Sequence, residues 1–171
     1  MDDTPPDDRS AATPAGHGID LVDSWRGATA SQALGLTLAA ARAIIAAVQA
    51  EGRVMKVALS CAVVDSGDQL VAFERMDGAD LLTITLAQDK AFTAVSNRMP
   101  TRDLAPISQP GAEFFGYHTV AGGRTIIFAG GMPLERDGVL VGAVGVSGGD
   151  SAEDQRAVEA GVRAFGEGSR A

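Results

Sequence analysis

The sequence contains one cysteine, Cys61, and two histidines, His17 and His118, among 171 residues. A single cysteine excludes an intrachain disulfide and a cysteine-based metal cluster. Two histidines are too few for a histidine-rich metal site. Because aromatic residues make up only 5% of the chain, the core has to be built mainly from alanine, valine, isoleucine and leucine.

Positive charge is also scarce. The chain has 14 Lys and Arg against 22 Asp and Glu, a net charge of −8. Since a nucleic-acid surface needs clustered basic side chains, we predict no nucleic-acid partner. No stretch reaches the roughly 18 consecutive apolar residues of a membrane helix. The acidic opening MDDTPPDD also differs from a secretion signal. We therefore predict a cytoplasmic protein without a membrane partner.

The composition divides the chain into two parts. Residues 1–30 are rich in Asp, Pro, Ser and Thr, which predicts a flexible N-terminal arm. The alternative is an arm that packs on its own or a neighbouring subunit, with Trp25 as its anchor. Residues 31–171 are long enough for one domain with a sizeable core.

Hydrophobic periodicity and capping residues predict the element order α-β-β-α-loop-β-β-α. Thr37 is a suitable N-cap for the first helix, and Gly52 suits the position just after its end. Asp80 can cap the second helix, and Asp150 or Ser151 the third.

The two pairs of β-rich runs are each joined by a short turn, DSGD in the first pair and ERDG in the second. The second pair is predicted to begin with RTIIFAGG, at Arg124. Because adjacent hairpins require antiparallel pairing, the sequence predicts an α/β (α+β) fold with helices packed on an antiparallel sheet. The glycines of GVSGG, residues 145–149, are expected to let the last strand and last helix pack closely.

Several segments carry a family resemblance, above all FERMDGA, FAGGMPL and GVLVGAVGVSGG followed by EDQRAVEAGVRAF. In this order they resemble the GlcG/HbpS-like family, also called the haem-degrading domain family, over roughly residues 36–166. The resemblance implies a profilin-like fold whose five-stranded antiparallel sheet is flanked by helices. It also implies homo-oligomers built from dimers, up to tetramers or octamers, and the binding of a small molecule such as haem.

The most promising candidate residues lie in FFGYHTVAGG. There His118 can ligate haem iron or act as a general acid or base near neutral pH. The alternative is a loop histidine with an ordinary hydrogen bond. Tyr117 can hydrogen-bond a ligand or ligate ferric iron, or pack at the rim of the site. The resemblance places Thr125 near the iron, although a β-branched strand residue needs no such role.

Charged residues provide a second group of candidates. Arg75 or Arg124 can hold the propionates of a haem. Alternatively, Asp77 belongs to a turn and Arg75 pairs with a neighbouring acid. Lys90 interrupts a largely apolar helix, where it faces either the ligand cavity or solvent.

These observations favour an oligomeric protein that binds haem or a related tetrapyrrole, for degradation or sensing. The alternative is a metal-independent enzyme for a small carboxylate-bearing metabolite. In that enzyme His118 and Asp77 would transfer protons, while Arg75 or Lys90 would bind the carboxylate. A third interpretation is an assembly subunit that has no ligand.

Overall fold

The computed structural model describes residues 35–168, which form one antiparallel sheet and the helices that cover it. The predicted arm, residues 1–30, lies outside the described residues. The helices and strands are α1 (Leu38–Met55), β1 (Ser60–Asp65), β2 (Leu70–Arg75), α2 (Leu82–Asn97), β3 (Gly131–Arg136), β4 (Val139–Ser147) and α3 (Ser151–Glu167). This order is the one that the sequence predicts.

The sheet has the strand order β2-β1-β4-β3, and every neighbouring pair is antiparallel. Helices α1 and α3 pack together over one face, against which Cys61 and Val63 point. Helix α2 covers the other face, against Ala62 and Val64. The predicted α+β architecture is confirmed. Within residues 35–168, however, the sheet has four strands, and the expectation of five is wrong.

The helix ends only partly match the predicted caps. The side chain of Thr37 caps α1, and Asp150 forms a capping box at the start of α3. Gly52 does not end α1, because the helix continues to Met55. Instead, Gly52 leaves room for Leu59, whose Cδ1 atom would lie 2.9 Å from an added Cβ. Asp80 is not the cap of α2, which begins without a side-chain cap.

Glycines on β4 allow backbones to approach one another closely. A Cβ at Gly145 would overlap the carbonyl oxygen of Ala87 on α2. A Cβ at Gly142 would overlap the carbonyl oxygen of Val64 on β1. Gly145 therefore allows close packing, but its partner is α2 and not, as predicted, the last helix.

Cys61 gives the fold a predictable response to alkali. Burial, together with the carboxylate of Glu74, raises the pKa of its thiol well above the ordinary value of 9.0. Above pH 9 the unfolded thiol ionises while the folded one stays protonated, so unfolding becomes more favourable. Between pH 8 and pH 10, we expect the free energy of unfolding to fall about 1.4 kcal/mol further in the wild type than in Cys61→Ala. Urea denaturation at both pH values measures this; equal decreases in the two proteins would contradict it.

None of the helices formed by residues 35–168 combines the length and the apolar character needed to cross a membrane.

Candidate functional site

The candidate site lies in the connection between α2 and β3, residues 98–130, which we call the site loop. Its regular parts are four short 3₁₀ helices, Thr101–Leu104, Pro106–Ser108, Tyr117–Thr119 and Ala121–Gly123. The prediction that a strand begins at Arg124 is wrong, because β3 begins at Gly131. Gly130 has a φ of +111°, which interrupts an extended strand at this point.

Polar side chains on α2 hold the site loop in place. The hydroxyl of Thr93 accepts a hydrogen bond from the backbone N–H of Ile126 at 2.9 Å. The Oδ1 atom of Asn97 accepts one from the hydroxyl of Tyr117 at 2.6 Å. Because Thr93 and Asn97 are four positions apart, they lie on the same side of α2. Helix α2 is thus the scaffold that positions the loop.

Tyr117 borders a small apolar cavity within the site loop. Its ring packs edge-on against Phe114, with 5.9 Å between the centroids. The cavity has a volume of about 200 Å³ and is lined by Asn97, Met99, Leu104, Ile107, Phe114 and Tyr117. It is too small to enclose a tetrapyrrole, so such a ligand would have to lie across the surface of the loop.

His118 is exposed on the short helix Tyr117–Thr119, and it is the one histidine within residues 35–168. The same loop exposes several large apolar side chains: Ile107 (37%), Phe114 (45%), Phe115 (64%) and Val120 (44%). Exposed aromatic groups suit the faces of a flat macrocycle, and an accessible imidazole suits haem iron. The donor set of the loop therefore fits a haem group.

Arg124 is held beside the site loop by two carboxylates. Its Nε donates to Asp89 Oδ1 at 2.9 Å, and its Nη1 lies 3.3 Å from Asp68 Oδ2. The guanidinium also stacks over the ring of Phe92, 3.9 Å from the centroid. These contacts fix the orientation of Arg124 and partly satisfy its charge.

Thr125 is buried, outside any strand, and its hydroxyl donates to the carbonyl oxygen of Val120 at 3.4 Å. The bond joins the two ends of the turn that follows His118. In this conformation Thr125 supports the loop, and its hydroxyl is not exposed to a surface ligand.

Lys90 faces neither a ligand cavity nor solvent. Its Nζ is fully buried, 2.6 Å from Asp154 Oδ2 and 2.9 Å from the carbonyl oxygen of Val146. The ring of Phe128 lies 5.0 Å from the same atom. Burial lowers the pKa of the Lys90 ammonium and raises that of the Asp154 carboxyl, while their mutual attraction opposes both shifts. Lys90 thus ties α2 to β4 and α3.

Gly130 makes room for this ion pair. A Cβ at this position would lie 2.8 Å from the Nζ of Lys90 and 3.1 Å from the Cβ of Asp154. The glycine pair in FAGG therefore has a structural explanation inside the protomer, and no ligand is needed to account for Gly130.

Arg75 and Asp77 lie far from His118. Arg75 on β2 lies opposite Ser60 on β1 in the sheet. The hydroxyl of Ser60 is hydrogen-bonded to that of Thr83, near the start of α2. Tyr117 instead bonds to Asn97 at the other end of α2, about 21 Å away at 1.5 Å per residue.

Both Arg75 and Asp77 are exposed. Within one protomer, the predicted proton-transfer pair of Asp77 and His118 is therefore not brought together, and no observation favours the small-carboxylate enzyme at these residues.

Three residues that support the site are not among the candidates predicted from the sequence. They are Thr93, Asn97 and Asp154. For Thr93 and Asn97, the sequence signal was two polar residues spaced four apart on a helix that precedes a long irregular loop, which places both on one side of the helix. For Asp154, the signal was a lysine in an apolar stripe, because a buried ammonium requires an acidic partner.

Known proteins resemble this chain in both sequence and structure. An uncharacterised 15.0 kDa protein encoded in the dhaT–dhaS intergenic region of Citrobacter freundii is 36% identical over 132 residues, which cover 77% of this chain and 93% of that protein. The crystal structure of Klebsiella pneumoniae protein ORFY has a TM-score of 0.75 and 34% identity, over 77% of this chain and 90% of that chain.

A second similar structure contains a ligand. The crystal structure of a PduOC–haem complex has a TM-score of 0.73 and 30% identity, and the match covers 75% of this chain and 94% of that chain. The family model described as haem-degrading protein HbpS-like matches residues 36–163, which include α1, the whole sheet, the site loop and most of α3. The chain therefore belongs to the HbpS-like family, the family that the sequence motifs predict.

Proposed function

We propose that this protein binds haem or a related tetrapyrrole on the surface of the site loop, with His118 as the ligand of the iron. The observation that carries the proposal is the exposed imidazole of His118 in a loop that also exposes Phe114 and Phe115. The PduOC–haem complex, a structure of similar fold, supports the haem-binding part of this proposal.

Each part of the loop has a role in this proposal. The apolar side chains cover the face of the macrocycle, and His118 donates an imidazole nitrogen to the iron. Tyr117, fixed by Asn97, borders the ligand, while Thr125 supports the turn beside His118. Arg124 is oriented by Asp89 and Asp68 and meets a propionate with its remaining N–H groups. Bound haem would supply a redox-active iron.

The proposal extends to a homo-oligomer, built from dimers as a tetramer or octamer, in the cytoplasm. Exposed aromatic side chains are unfavourable in water, and a second protomer would cover those that the ligand leaves open. Arg75 lies too far from His118 to serve the same ligand within one protomer. It reaches a propionate only from a neighbouring copy.

Titration of the purified apoprotein with haemin tests the iron ligand. We expect a saturable, shifted Soret band, and in His118→Ala a different band position with an affinity at least about tenfold lower, because an axial ligand is lost. His17→Ala is the matched control, because it removes the only other histidine. It should behave as the wild type. The absence of a saturable band in the wild type, or an unchanged spectrum in His118→Ala, would refute the proposal.

Haem degradation and haem sensing can be separated on the same sample. Addition of ascorbate under air should bleach the Soret band if the protein supports degradation, and should leave the band intact if it only senses or carries haem.

A further inference from the structure

A second cavity lies on the side of the sheet covered by α1 and α3. Its volume is about 290 Å³, and its wall is made by the start of α1, the end of β3 and the end of α3. The lining residues are Gly35, Thr37, Ala39, Ala40, Ala43, Arg136, Ala164, Phe165 and Gly168. None of them belongs to the site loop, so this cavity is distinct from the proposed haem surface.

Arg136 contributes the positive charge of this cavity. Its guanidinium stacks on the ring of Phe165, with 4.4 Å between Cζ and the centroid. A Cβ added at Gly35 would lie 3.5–3.6 Å from Cζ and both Nη atoms, so the backbone of Gly35 also lies against the guanidinium plane. These contacts hold the flat side of the group and leave its N–H edge available.

Among the residues that the structure describes, 35–168, the N–H edge of Arg136 has few partners. Its Nη2 atom donates a hydrogen bond to the carbonyl oxygen of Phe165 at 3.4 Å. Within residues 35–168, Arg136 forms no ion pair, whereas Arg102, Arg124 and Arg156 each contact a carboxylate. A guanidinium with five donors and a single long bond retains the capacity to bind a carboxylate in a bidentate fork.

The rest of the wall suits an apolar group beside that carboxylate. Alanines from α1 and α3 and the ring of Phe165 provide methyl and aromatic surface. Two carbonyl oxygens at the end of α3, those of Ala164 and Phe165, accept hydrogen bonds from Gly168 N–H and Arg136. The first turn of α1 contains no acidic residue.

We propose that this cavity binds a small metabolite that carries one carboxylate on a short apolar body. The carboxylate pairs in plane with the guanidinium of Arg136, and the apolar body lies against Ala43 and Phe165. A volume near the lower end of the roughly 300–1,000 Å³ range of small-molecule sites restricts the ligand to a small molecule. The site is independent of the haem proposal, since no residue is shared.

The test compares carboxylates with neutral molecules of the same shape. Thermal-shift and calorimetric titrations of the full chain use butyrate and benzoate against butyramide and benzamide, at constant ionic strength. We expect the carboxylates to bind saturably and raise Tm, and the amides to have no effect. Arg136→Gln should weaken carboxylate binding at least about tenfold, as expected for loss of charge-assisted hydrogen bonds. Arg163→Gln, an exposed change on α3, should leave binding unchanged.

A second variant keeps the guanidinium and fills the space instead. Ala43→Leu places a larger side chain in the cavity at an exposed position of α1, where leucine is a good helix former. It should lower carboxylate affinity at least about tenfold without lowering Tm of the free protein. Equal binding of butyrate and butyramide, undiminished binding in Arg136→Gln, or no saturable binding of any carboxylate would overturn the proposal. Haemin titration of the same variants shows separately whether the site loop binds haem.

Discussion

Replacement of Lys90 by methionine is expected to lower the free energy of unfolding by about 3–5 kcal/mol, because it leaves the carboxylate of Asp154 buried without its cationic partner. Asp154 keeps its contacts with the backbone N–H groups of Gly149, at 2.9 Å, and Gly148, which do not neutralise its charge. The carbonyl oxygen of Val146 also loses its Lys90 donor. Urea denaturation followed by circular dichroism measures the loss.

Two controls separate the unpaired charge from a general packing defect. The double variant Lys90→Met/Asp154→Leu should recover most of the loss, because apolar side chains can replace a buried ion pair at little cost. Arg102→Gln breaks the exposed pair with Glu159 and should change stability by no more than about 1 kcal/mol. A loss in Lys90→Met as small as that of Arg102→Gln would contradict the assignment of a buried ion pair.

The substitution Gly145→Ala is expected to destabilise the protein by about 3 kcal/mol or more, because it forces α2 away from β4. The added methyl group would overlap the carbonyl oxygen of Ala87 and lie 2.5 Å from the backbone nitrogen of Ala91. Both neighbours are backbone atoms of a packed helix, which cannot move aside as a side chain can. Thermal and urea denaturation measure the effect.

Gly166→Ala is the matched control, because it makes the same chemical change where, among residues 35–168, the added Cβ meets no atom within 4 Å beyond its chain neighbours and its own helix backbone. Gly166 is inside α3, so alanine should stabilise the helix by up to about 1 kcal/mol. The two substitutions are therefore expected to have opposite signs. A similar loss of stability in both would show that steric contact with α2 is not the cause.

Local signals in the sequence predicted much of the fold. The cap at Thr37, the capping box at Asp150 and the two hairpin turns depend on residues within a few positions of one another. The same physics explains the failures. Gly52 was interpreted as a helix end from local preference, but its contact with Leu59 comes from tertiary packing.

The sequence offered less guidance on the candidate site than on the fold. The loop that carries His118 and Tyr117 was located from its aromatic, glycine-rich composition. The grouping of Arg75 and Asp77 with that loop was not supported, because the path of β2 takes them to the opposite end of α2. The structural roles of Thr93 and Asn97 depend on the path of the loop over α2.

By itself, the sequence determined the order of helices and strands, the family and the loop in which to look for a ligand site, because periodicity, caps and motifs are short-range properties. Only the tertiary structure decided that Lys90 meets Asp154, 64 residues away, and that Arg136 lines a cavity between α1 and α3. These outcomes depend on which distant segments the sheet brings together, and on how burial changes the free energy of a charge once they meet.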